Sequence, residues 1–524
     1  MRTPLLALVL LAICSFITTT SSARTLYITP SGGDAPNIQA GINSADPGDT
    51  IVLSEGWFAG NGNRDIDFGG KAVVLRSESG DPTLCVIYCE GTEQQPHNGF
   101  IFQSVETAET VIEGITVQSA WGPGVICDPD GLTEGASPTF RNCRFTNNVG
   151  PGVECFISQP TFIDCVFGFN TDDGVTLNES TVDFENCLFI SNTMAGLDAY
   201  GVITATNCEF TNNGGPGAKV RGEQTAFDNC EFSGNFGGGV ISDEAELFLT
   251  DCFVYDNELF GTKLMGSGLP ADTTRAILAR CTIWDNAGSG IVAEFGEIYP
   301  TQCTIYGNSH AQGAGIQCVD NSYAAIDRSA ITHNLVGQAV YCDATSDATV
   351  QCSDVFGNAG GDWAGCIMGD ATINGNFSTP PLFCDPDYGN FELSSKSDLL
   401  GYHNTCGALV GAHDMGCHEP VGVDPDGIPS LETLRVDAYP NPFNPTTTIE
   451  YSIVQPAHVT LEIYNAAGQL VRRLVDEARL PRAGGYTATW NGTDANGSVV
   501  GSGVYFCRLE AGNQAATKKL VLLK

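Results

Sequence analysis

Residues 142–152, NCRFTNNVGPG, form one copy of a repeat that decides the fold of this chain. The repeat reads Asn-Cys-x-Phe-x-x-Asn, then three residues, then Gly. Successive cysteines lie 22, 22, 21, 22, 22, 29 and 22 residues apart. A period this regular is typical of a solenoid, in which each repeat stacks on the next. The cysteines that begin the copies are Cys143, Cys165, Cys187, Cys208, Cys230, Cys252, Cys281 and Cys303.

Apolar residues alternate with other residues inside each unit, as Cys143 and Phe145 do, and then Val153 and Cys155. Alternation with a period of two indicates β-strands. Asn and Gly separate the strands, because both tolerate the left-handed backbone that sharp bends need. The unit therefore predicts a three-sided coil in which each strand pairs in parallel with its counterpart one turn away, at about 4.8 Å.

Equivalent positions of such a coil lie above one another, so we expect three internal ladders. The cysteines predict buried thiols that act as small apolar groups. The phenylalanines predict an aromatic stack, and the second asparagine of each repeat predicts a ladder of amides that donate to one neighbour and accept from the other. The aromatic set is Phe145, Phe167, Phe189, Phe210 and Phe232, and the amide set is Asn148, Asn170, Asn192, Asn213, Asn235, Asn257, Asn286, Asn308, Asn334 and Asn358.

These ladders resemble the right-handed parallel β-helix of the pectin-lyase-like superfamily, over about residues 25–417. The resemblance implies an all-β chain dominated by a three-sided solenoid. The superfamily contains lyases, hydrolases, epimerases and adhesins, so its fold alone does not give a function.

The N-terminal part predicts export and a covered solenoid end. Residues 1–23 combine a basic residue, an apolar run and small residues before a cleavage position, which is typical of a secretory signal. Residues 38–45 are apolar at positions i, i+4 and i+7, which predicts a short helix over the open end of the coil. We expect the β-helix at 24–417, with 359–417 closing its C-terminal end, and a linker at 418–433. The 29-residue spacing predicts a loop insertion at about 264–274.

Residues 434–524 predict a small β-sandwich, because five strand-like segments alternate with Gly- and Asn-rich turns. The Pro-Asn-Pro opening at 440–442, Gly503-Val504-Tyr505 and the basic tail at 518–524 resemble the type IX secretion sorting domain. The domain also resembles the immunoglobulin-like domain of flagellar hook-assembly proteins. This resemblance implies an outer-membrane secretion machinery as partner, and a secreted or surface-attached protein of a Gram-negative bacterium.

The charge of the chain excludes some partners. Its formal net charge is −38, which argues against nucleic acid and anionic membrane surfaces. It permits bound cations such as calcium, but the seven histidines show no metal-ligand spacing and no cofactor motif is found. An anionic polysaccharide requires a local basic patch or bound cations to offset this charge.

Export permits disulfides, but in-register ladder cysteines have poor geometry for a bridge. We therefore expect bridges among cysteines close in sequence, first of all Cys406–Cys417. The other expected pairs are Cys85–Cys89 and Cys366–Cys384.

The strand after the repeat glycine is the natural place for chemistry, because its outward residues vary while its inward residues stay apolar. We expect Asp198, Lys219 and Arg221 on adjacent turns, with Asp172 and Asp173 at the bend below. Paired carboxylates suit glycoside hydrolysis, and a cation beside a uronate suits a lyase. The binding candidates around them are Glu154, Tyr200, Asp243 and Lys263.

Three functions are compatible with this sequence. The first is glycan or surface-partner binding without catalysis, because Asn170-Thr171-Asp172-Asp173-Gly174 only loosely resembles polygalacturonase motifs and the remaining family signals are missing. The second is a polysaccharide lyase or glycoside hydrolase that uses the charged cluster. The third is a structural role without a ligand. A solvated strand face with alternating charges would produce the same sequence pattern.

Overall fold

A computed structural model describes residues 22–129, 135–269 and 274–417, and residues 435–522 except 440, 442, 444, 454–456, 466–467, 480–485, 496 and 513. The predicted signal at 1–23 and the linker at 418–433 lie almost wholly outside these residues, and the predicted insertion lies partly outside them. The chain forms two compact units, 1–276 and 277–524. The strand Arg275–Ala279 contains the boundary.

The first unit coils through three faces per turn, and strands of successive turns pair in parallel on each face. The first face holds the strands Ile66–Asp67, Phe100–Phe102, Val125–Cys127, Val153–Phe156, Val240–Asp243 and Thr262–Met265. The second face holds Thr25–Thr29, Thr50–Leu53, Val74–Ser77, Val111–Glu113, Thr139–Arg141, Thr161–Ile163 and Glu246–Thr250. Three longer strands run from the first face into the second: Val175–Glu185, Leu197–Thr206 and Ala218–Asp228. The third face holds Gly56–Ala59, Cys85–Tyr88, Thr116–Gln118, Arg144–Thr146, Val166–Gly168, Leu188–Ile190, Glu209–Thr211, Glu231–Ser233 and Phe253–Tyr255.

Left-handed residues turn the chain between faces, as the Asn and Gly pattern predicts. Asn186, Asn207 and Asn229 have φ of 53°, 54° and 52° at the bend before the third face. Their exposed amides form a second ladder on the outside of the coil, in which Asn207 Nδ2 donates to Asn186 Oδ1 at 3.1 Å and Asn229 Nδ2 to Asn207 Oδ1 at 2.7 Å. The first asparagine of the repeat therefore makes the bend, and the second fills the interior.

The predicted internal ladders are confirmed. The eight repeat cysteines are free thiols in the buried core. The Phe rings stack with centroids 5.4 Å apart for Phe145 and Phe167 and 4.3 Å apart for Phe189 and Phe210. A second aromatic set from the second face meets them edge-on, which the sequence analysis missed although it lies three residues before the cysteines. This set is Phe140, Phe162, Phe184 and Phe227.

The buried amide ladder satisfies its own polar groups. In the first unit Asn192 Nδ2 donates to Asn213 Oδ1 at 3.0 Å, and Asn213 Nδ2 donates to Asn235 Oδ1 at 2.9 Å. The same Nδ2 of Asn213 also donates to the carbonyl of Phe189 at 3.1 Å. In the second unit the ladder ends at Asn358, whose Nδ2 donates to Asp362 at 2.8 Å.

The helix Ile38–Ser44 confirms the predicted helix, with Ile38 and Ile42 buried. Asn37 caps its N-terminus by accepting from the Ala40 amide at 2.9 Å. The short strand Gly32–Gly33, which precedes the helix, pairs in antiparallel fashion with the strand Thr25–Thr29.

The second unit begins with the same three faces. Its first-face strands are Ile291–Glu294, Ser309–Val319 and Val336–Cys342, and its second-face strands are Glu297–Thr301, Tyr323–Asp327 and Asp347–Gln351. Its third-face strands are Thr282–Trp284, Thr304–Tyr306, Ala330–Thr332 and Asp354–Phe356.

Residues 359–417 do more than close the end of the coil. The 3-10 helix Gly365–Asp370 lies against the last strands, but the following residues fold back over the outward side of the third face. There Phe383, Phe391 and Leu399 pack on Trp284 and Tyr306. The elements of this cover are the strands Phe383–Asp385, Asn390–Ser394 and Met415–Cys417 and the 3-10 helix Pro386–Tyr388.

The disulfide pairing that we expected is wrong. The structure contains Cys342–Cys366, Cys352–Cys406 and Cys384–Cys417, whereas Cys85 and Cys89 are free and buried. Cys366, Cys384, Cys406 and Cys417 do form bridges, but with other partners. The reason is that neighbours in a solenoid lie a full turn apart, and the cover then brings Cys406 back over Cys352 from 54 residues away.

The C-terminal part of the second unit is a β-sandwich around Trp490, Ile449 and Leu461. One sheet holds Arg435–Tyr439, Thr447–Ser452 and Tyr486–Trp490, and the other holds Leu470–Arg479, Ala457–Asn465, Gly503–Ala511 and Gln514–Leu522. The sequence analysis missed the strands at 435–439 and 470–479. In the part of the chain that the structure describes, no helix is long and apolar enough to cross a membrane.

Candidate functional site

Most of the candidate residues lie together on the outward side of the first face between residues 153 and 265, which we name the polar face. Its inward residues, such as Val175 and Leu177, are buried, so the alternation is as predicted. Its outward residues form two rows that run along the coil, one residue per turn. Row one is Glu154, Thr176, Asp198, Lys219, Ile241 and Lys263, and row two is Phe156, Asn178, Tyr200, Arg221, Asp243 and Met265.

Asp198 and Arg221 form an ion pair across two turns. An Arg221 Nη2 proton is donated to Asp198 Oδ1. The side chains are 25% and 36% exposed, so the pair is accessible to a ligand from solvent. The ion pair joins Arg221 in row two to Asp198 in row one. The register neighbour of Asp198 in row one is Lys219, which lies beside this pair.

Lys219 is a half-buried cation that makes no hydrogen bond or ion pair with the described residues. It follows Asp198 in row one, with Ile241 on its other side. Lys263 lies one turn beyond Ile241, with its ammonium 5.9 Å from the centre of the Phe260 ring. The polar face thus carries three cations, two on one turn and the third two turns further on, in a chain of strongly negative net charge.

Asp173 is almost buried at the bend before row one, and each of its carboxylate oxygens accepts a hydrogen bond. Its Oδ1 accepts from the Ala195 amide at 2.8 Å, and its Oδ2 accepts from the Thr176 hydroxyl at 3.0 Å. Burial raises the pKa of Asp173 to about 6 against the opposing effect of the Ala195 hydrogen bond, and the charges of Asp198 and Asp172 raise it further. Asp172 accepts from the amide of Asp173 at 3.0 Å.

The binding candidates have different environments. Burial, followed by the charges of Asp172 and Asp128, raises the pKa of Glu154. Tyr200 is 41% exposed. Asp243 is the register neighbour of Arg221 in row two. The structure therefore brings Asp173, Asp198, Lys219 and Arg221 together, with Tyr200 beside them.

Gly222, which follows Arg221 and lies against the ring of Tyr200, belongs to this region but was not predicted from the sequence. Only its Gly identity was visible in the sequence, and Gly is common at bends. A shallow depression of about 400 Å³ lies elsewhere, beside the bend after the first face, and is lined by Val105, Ser137, Gln159 and Glu179.

Within the described residues, no group of three or more His, Cys, Asp or Glu side chains has an arrangement that could hold a metal ion. The chemistry available on the polar face is that of carboxylates, an ammonium, a guanidinium, a phenol and amides. Such groups can bind hydroxyl and carboxylate groups of a ligand, and a carboxylate with a pKa near neutrality can exchange a proton.

Two family models match the sequence. The model described as the right-handed β-helix region matches residues 62–202 and 200–378, which together exceed half of the chain. The model described as the FlgD Ig-like domain matches residues 444–515. A comparison with curated protein sequences found no match.

Several solved structures resemble the chain. The A-module of mannuronan C-5 epimerase AlgE4 from Azotobacter vinelandii is 15% identical, with 65% of this chain and 94% of that chain covered and a TM-score of 0.36. The alginate lyase from Paenibacillus sp. is 13% identical, with 63% and 98% covered and a TM-score of 0.22. Latent PorU from Porphyromonas gingivalis is 22% identical over 17% of this chain, with a TM-score of 0.15, and the match spans only 9% of the PorU chain.

Proposed function

The chain belongs to the right-handed β-helix family, and we propose that its polar face binds a glycan without cleaving it. The observation that carries the proposal is the pair of rows themselves. Six consecutive turns present hydrogen-bonding and charged side chains outward, at the regular spacing of parallel strands, about 4.8 Å. An extended polymer with a regular repeat of hydroxyl groups is the ligand that such a surface matches.

The state of the two central carboxylates supports binding over catalysis. Asp198 is neutralised by Arg221, and both oxygens of Asp173 accept hydrogen bonds from the chain itself. These bonds direct both carboxylates at donors of the chain itself, whereas a general base must lie within hydrogen-bond reach of the proton that it removes. Lys219, in contrast, has donors available for a ligand, and its ammonium can form charge-assisted hydrogen bonds with a sugar hydroxyl or carboxylate.

The proposal extends to the location of the protein. We infer export by the segment 1–23 and display at the outer surface through the domain at 434–524, with an outer-membrane secretion machinery as its partner. The β-helix at 24–417 would then present the polar face outside the cell, separated from the last domain by the linker at 418–433. The basis is the pattern of the segment at 1–23 and the tail resemblance carried by Gly503-Val504-Tyr505.

A second candidate function, cleavage of a polysaccharide, is favoured by one observation. Burial raises the pKa of Asp173 to about 6, so this carboxyl group can give or take a proton near neutral pH, and Asp198 lies near it. Acid catalysis of glycoside hydrolysis uses a carboxyl group with a raised pKa beside a second carboxyl group. Lys219 could neutralise a uronate beside this pair in a lyase.

One experiment separates these functions. The full chain is applied to neutral, pectic and alginate polysaccharides, with retention measured by affinity electrophoresis and products measured as reducing ends and unsaturated uronides. We expect retention without products, and weaker retention for Lys219→Ala than for the control Lys396→Ala, whose lysine is exposed outside the polar face. Products that disappear in Asp173→Asn would establish the enzyme instead, and neither retention nor products would leave the structural role.

A further inference from the structure

The bend that follows each strand of the polar face accepts ordinary side chains. Ile157, Glu179 and Glu244 occupy this bend in three turns, with φ of 46°, 48° and 59°. Gly222 stands at this position in another turn, opposite Glu244, whereas Gly201 in the turn before it pairs with Ser180 because the register shifts there by one residue. Since the bend itself does not demand glycine, each glycine needs a reason of its own.

Gly201 and Gly222 have different reasons. A Cβ at Gly201 would lie 2.0 Å from the Ser180 carbonyl oxygen, so the backbone itself excludes a side chain there. A Cβ at Gly222 would lie 2.2 Å and 2.6 Å from Cε2 and Cδ2 of Tyr200, and the nearest atoms all belong to that ring. Gly222 has a φ of +86° and lies on the strand that follows that of Tyr200. Because it has no side chain, the Tyr200 ring can pack directly on its Cα.

Tyr200 is held there by contact alone. Its hydroxyl forms no hydrogen bond with the described part of the chain, although the ring is 41% exposed. Arg221, its neighbour in row two, is turned away toward Asp198. Asn178 is the register neighbour of Tyr200 on the other side. The Tyr200 ring therefore has the Asn178 amide, the Asp198–Arg221 ion pair and Lys219 within one turn of the coil.

We propose that Tyr200 and Gly222 form an aromatic subsite that receives one pyranose ring of the bound glycan. The ligand class is a hexopyranose that has C–H groups on one face of its ring. This face packs on the tyrosine ring, and the sugar hydroxyls form hydrogen bonds with Asn178, Lys219 and the Asp198–Arg221 pair. Gly222 is a positioning residue in this subsite, since it acts only through the place that it gives to Tyr200. The inference rests on the proposed glycan binding by the polar face.

The stacking contact sets the size of the expected effect. A tenfold change in affinity corresponds to about 1.4 kcal/mol. We expect Tyr200→Ala to lower affinity about tenfold and Tyr200→Phe to stay within about twofold of the wild type, because the ring remains. Gly222→Ala keeps the tyrosine but displaces it, and should lower affinity several-fold.

The test measures affinity of the full chain for three probes, the hexasaccharides of β-1,4-linked glucose, β-1,4-linked mannose and α-1,4-linked galacturonate, by calorimetry. The variants are Tyr200→Ala, Tyr200→Phe, Gly222→Ala and the double variant Gly222→Ala/Tyr200→Ala. Glu244→Ala changes the same bend two turns from Tyr200 and is the matched control. Thermal unfolding of every variant checks that the coil is intact.

The subsite is supported if Tyr200→Ala lowers the affinity, Tyr200→Phe retains it, and the double variant binds no more weakly than Tyr200→Ala alone. Unchanged affinity in Tyr200→Ala, or an equal loss in Tyr200→Phe, overturns the subsite and leaves the proposed function standing. A Gly222→Ala effect that persists in the Tyr200→Ala background overturns the role of Gly222. No binding of any probe or of the polysaccharides by the wild type removes the proposed function and the subsite together.

Discussion

Asp354 shows how a single buried carboxyl group depends on its cover. Its side chain is fully buried on the outward side of the third face, where Oδ1 accepts from the Thr379 amide at 2.9 Å. Its Oδ2 has no hydrogen-bond partner within the described residues. Burial raises the pKa of Asp354 well above its usual range against the Thr379 hydrogen bond, and the charges of Asp362 and Asp398 add to the shift.

We predict that Asp354→Asn stabilises the protein at neutral pH. The raised pKa means that the folded chain holds a proton that the unfolded chain releases above pH about 4, so this group lowers stability as the pH rises from there toward the folded pKa. Asn keeps the acceptor for Thr379 and cannot ionise. The melting temperature of the variant should match the wild type at pH 3 and exceed it by a margin that grows as the pH rises above about 4 toward the raised pKa of the folded state.

The exposed Asp347 provides the control for this prediction, because Asp347→Asn makes the same chemical change at the surface. Equal pH dependence in Asp354→Asn and the wild type would show that the carboxyl group is solvated in solution. The sequence did not predict this group, since the residues that cover it belong to 377–417, where the repeat no longer sets the register.

At the scale of the element, the turn of the coil is stabilised by its ladders. Each buried amide accepts from the backbone and side chain of one neighbour and donates to the next, so one residue type completes the hydrogen bonding of a whole corner. The exposed ladder of Asn186, Asn207 and Asn229 has the same spacing but competes with water. Two amide ladders with the same repeat therefore differ in their contribution to stability.

Replacing one amide of each ladder tests this difference. We predict that Asn213→Ala lowers the free energy of unfolding by about 2–4 kcal/mol, because it leaves buried donors and acceptors of its neighbours without partners. Asn207→Gly, in the exposed ladder, removes the amide but permits the left-handed backbone at this bend, and should cost less than about 1 kcal/mol. The measurement is urea unfolding of both variants, and equal losses would contradict the assignment of the two ladders.

The elements also show what the sequence could predict. The period of 22 and the alternation identified the three faces, the cysteine and phenylalanine ladders and the amides, because stacking makes every turn carry the same signal. Contacts that cross turns at irregular places were not predictable, and the disulfides are the clearest case. Proximity in sequence suggested Cys406–Cys417, whereas the cover and the strands of its small sheet place Cys417 beside Cys384.

Peptide mapping under non-reducing conditions tests these bridges. We predict the pairs Cys342–Cys366, Cys352–Cys406 and Cys384–Cys417, with the ladder thiols alkylated only after unfolding. Replacing Cys352 and Cys406 by Ala should lower the free energy of unfolding by about 4 kcal/mol, since the bridge closes a loop of 54 residues. A Cys406–Cys417 peptide would contradict the observed end of the coil.

At the scale of the whole molecule, the net charge and the repeat together limit which ligands the polar face can bind. A net charge of −38 disfavours anionic partners in general, yet Lys219, Arg221 and Lys263 lie on one face. The sequence predicted that these residues share a face, because alternation fixes which side chains point outward. It did not predict the ion pair of Arg221 with Asp198 or the place of Tyr200 against Gly222, since both depend on rotamers of neighbouring turns.

Protection of lysines from acylation tests the central claim, glycan binding by the polar face, most directly. The full chain is acetylated with and without the polysaccharide that retains it, and the rate at each lysine is followed by peptide mass spectrometry. We predict that the rate at Lys219 falls by about fivefold or more in the complex, while the rate at the exposed Lys396 stays the same. An unprotected Lys219 in a saturated complex would contradict the claim.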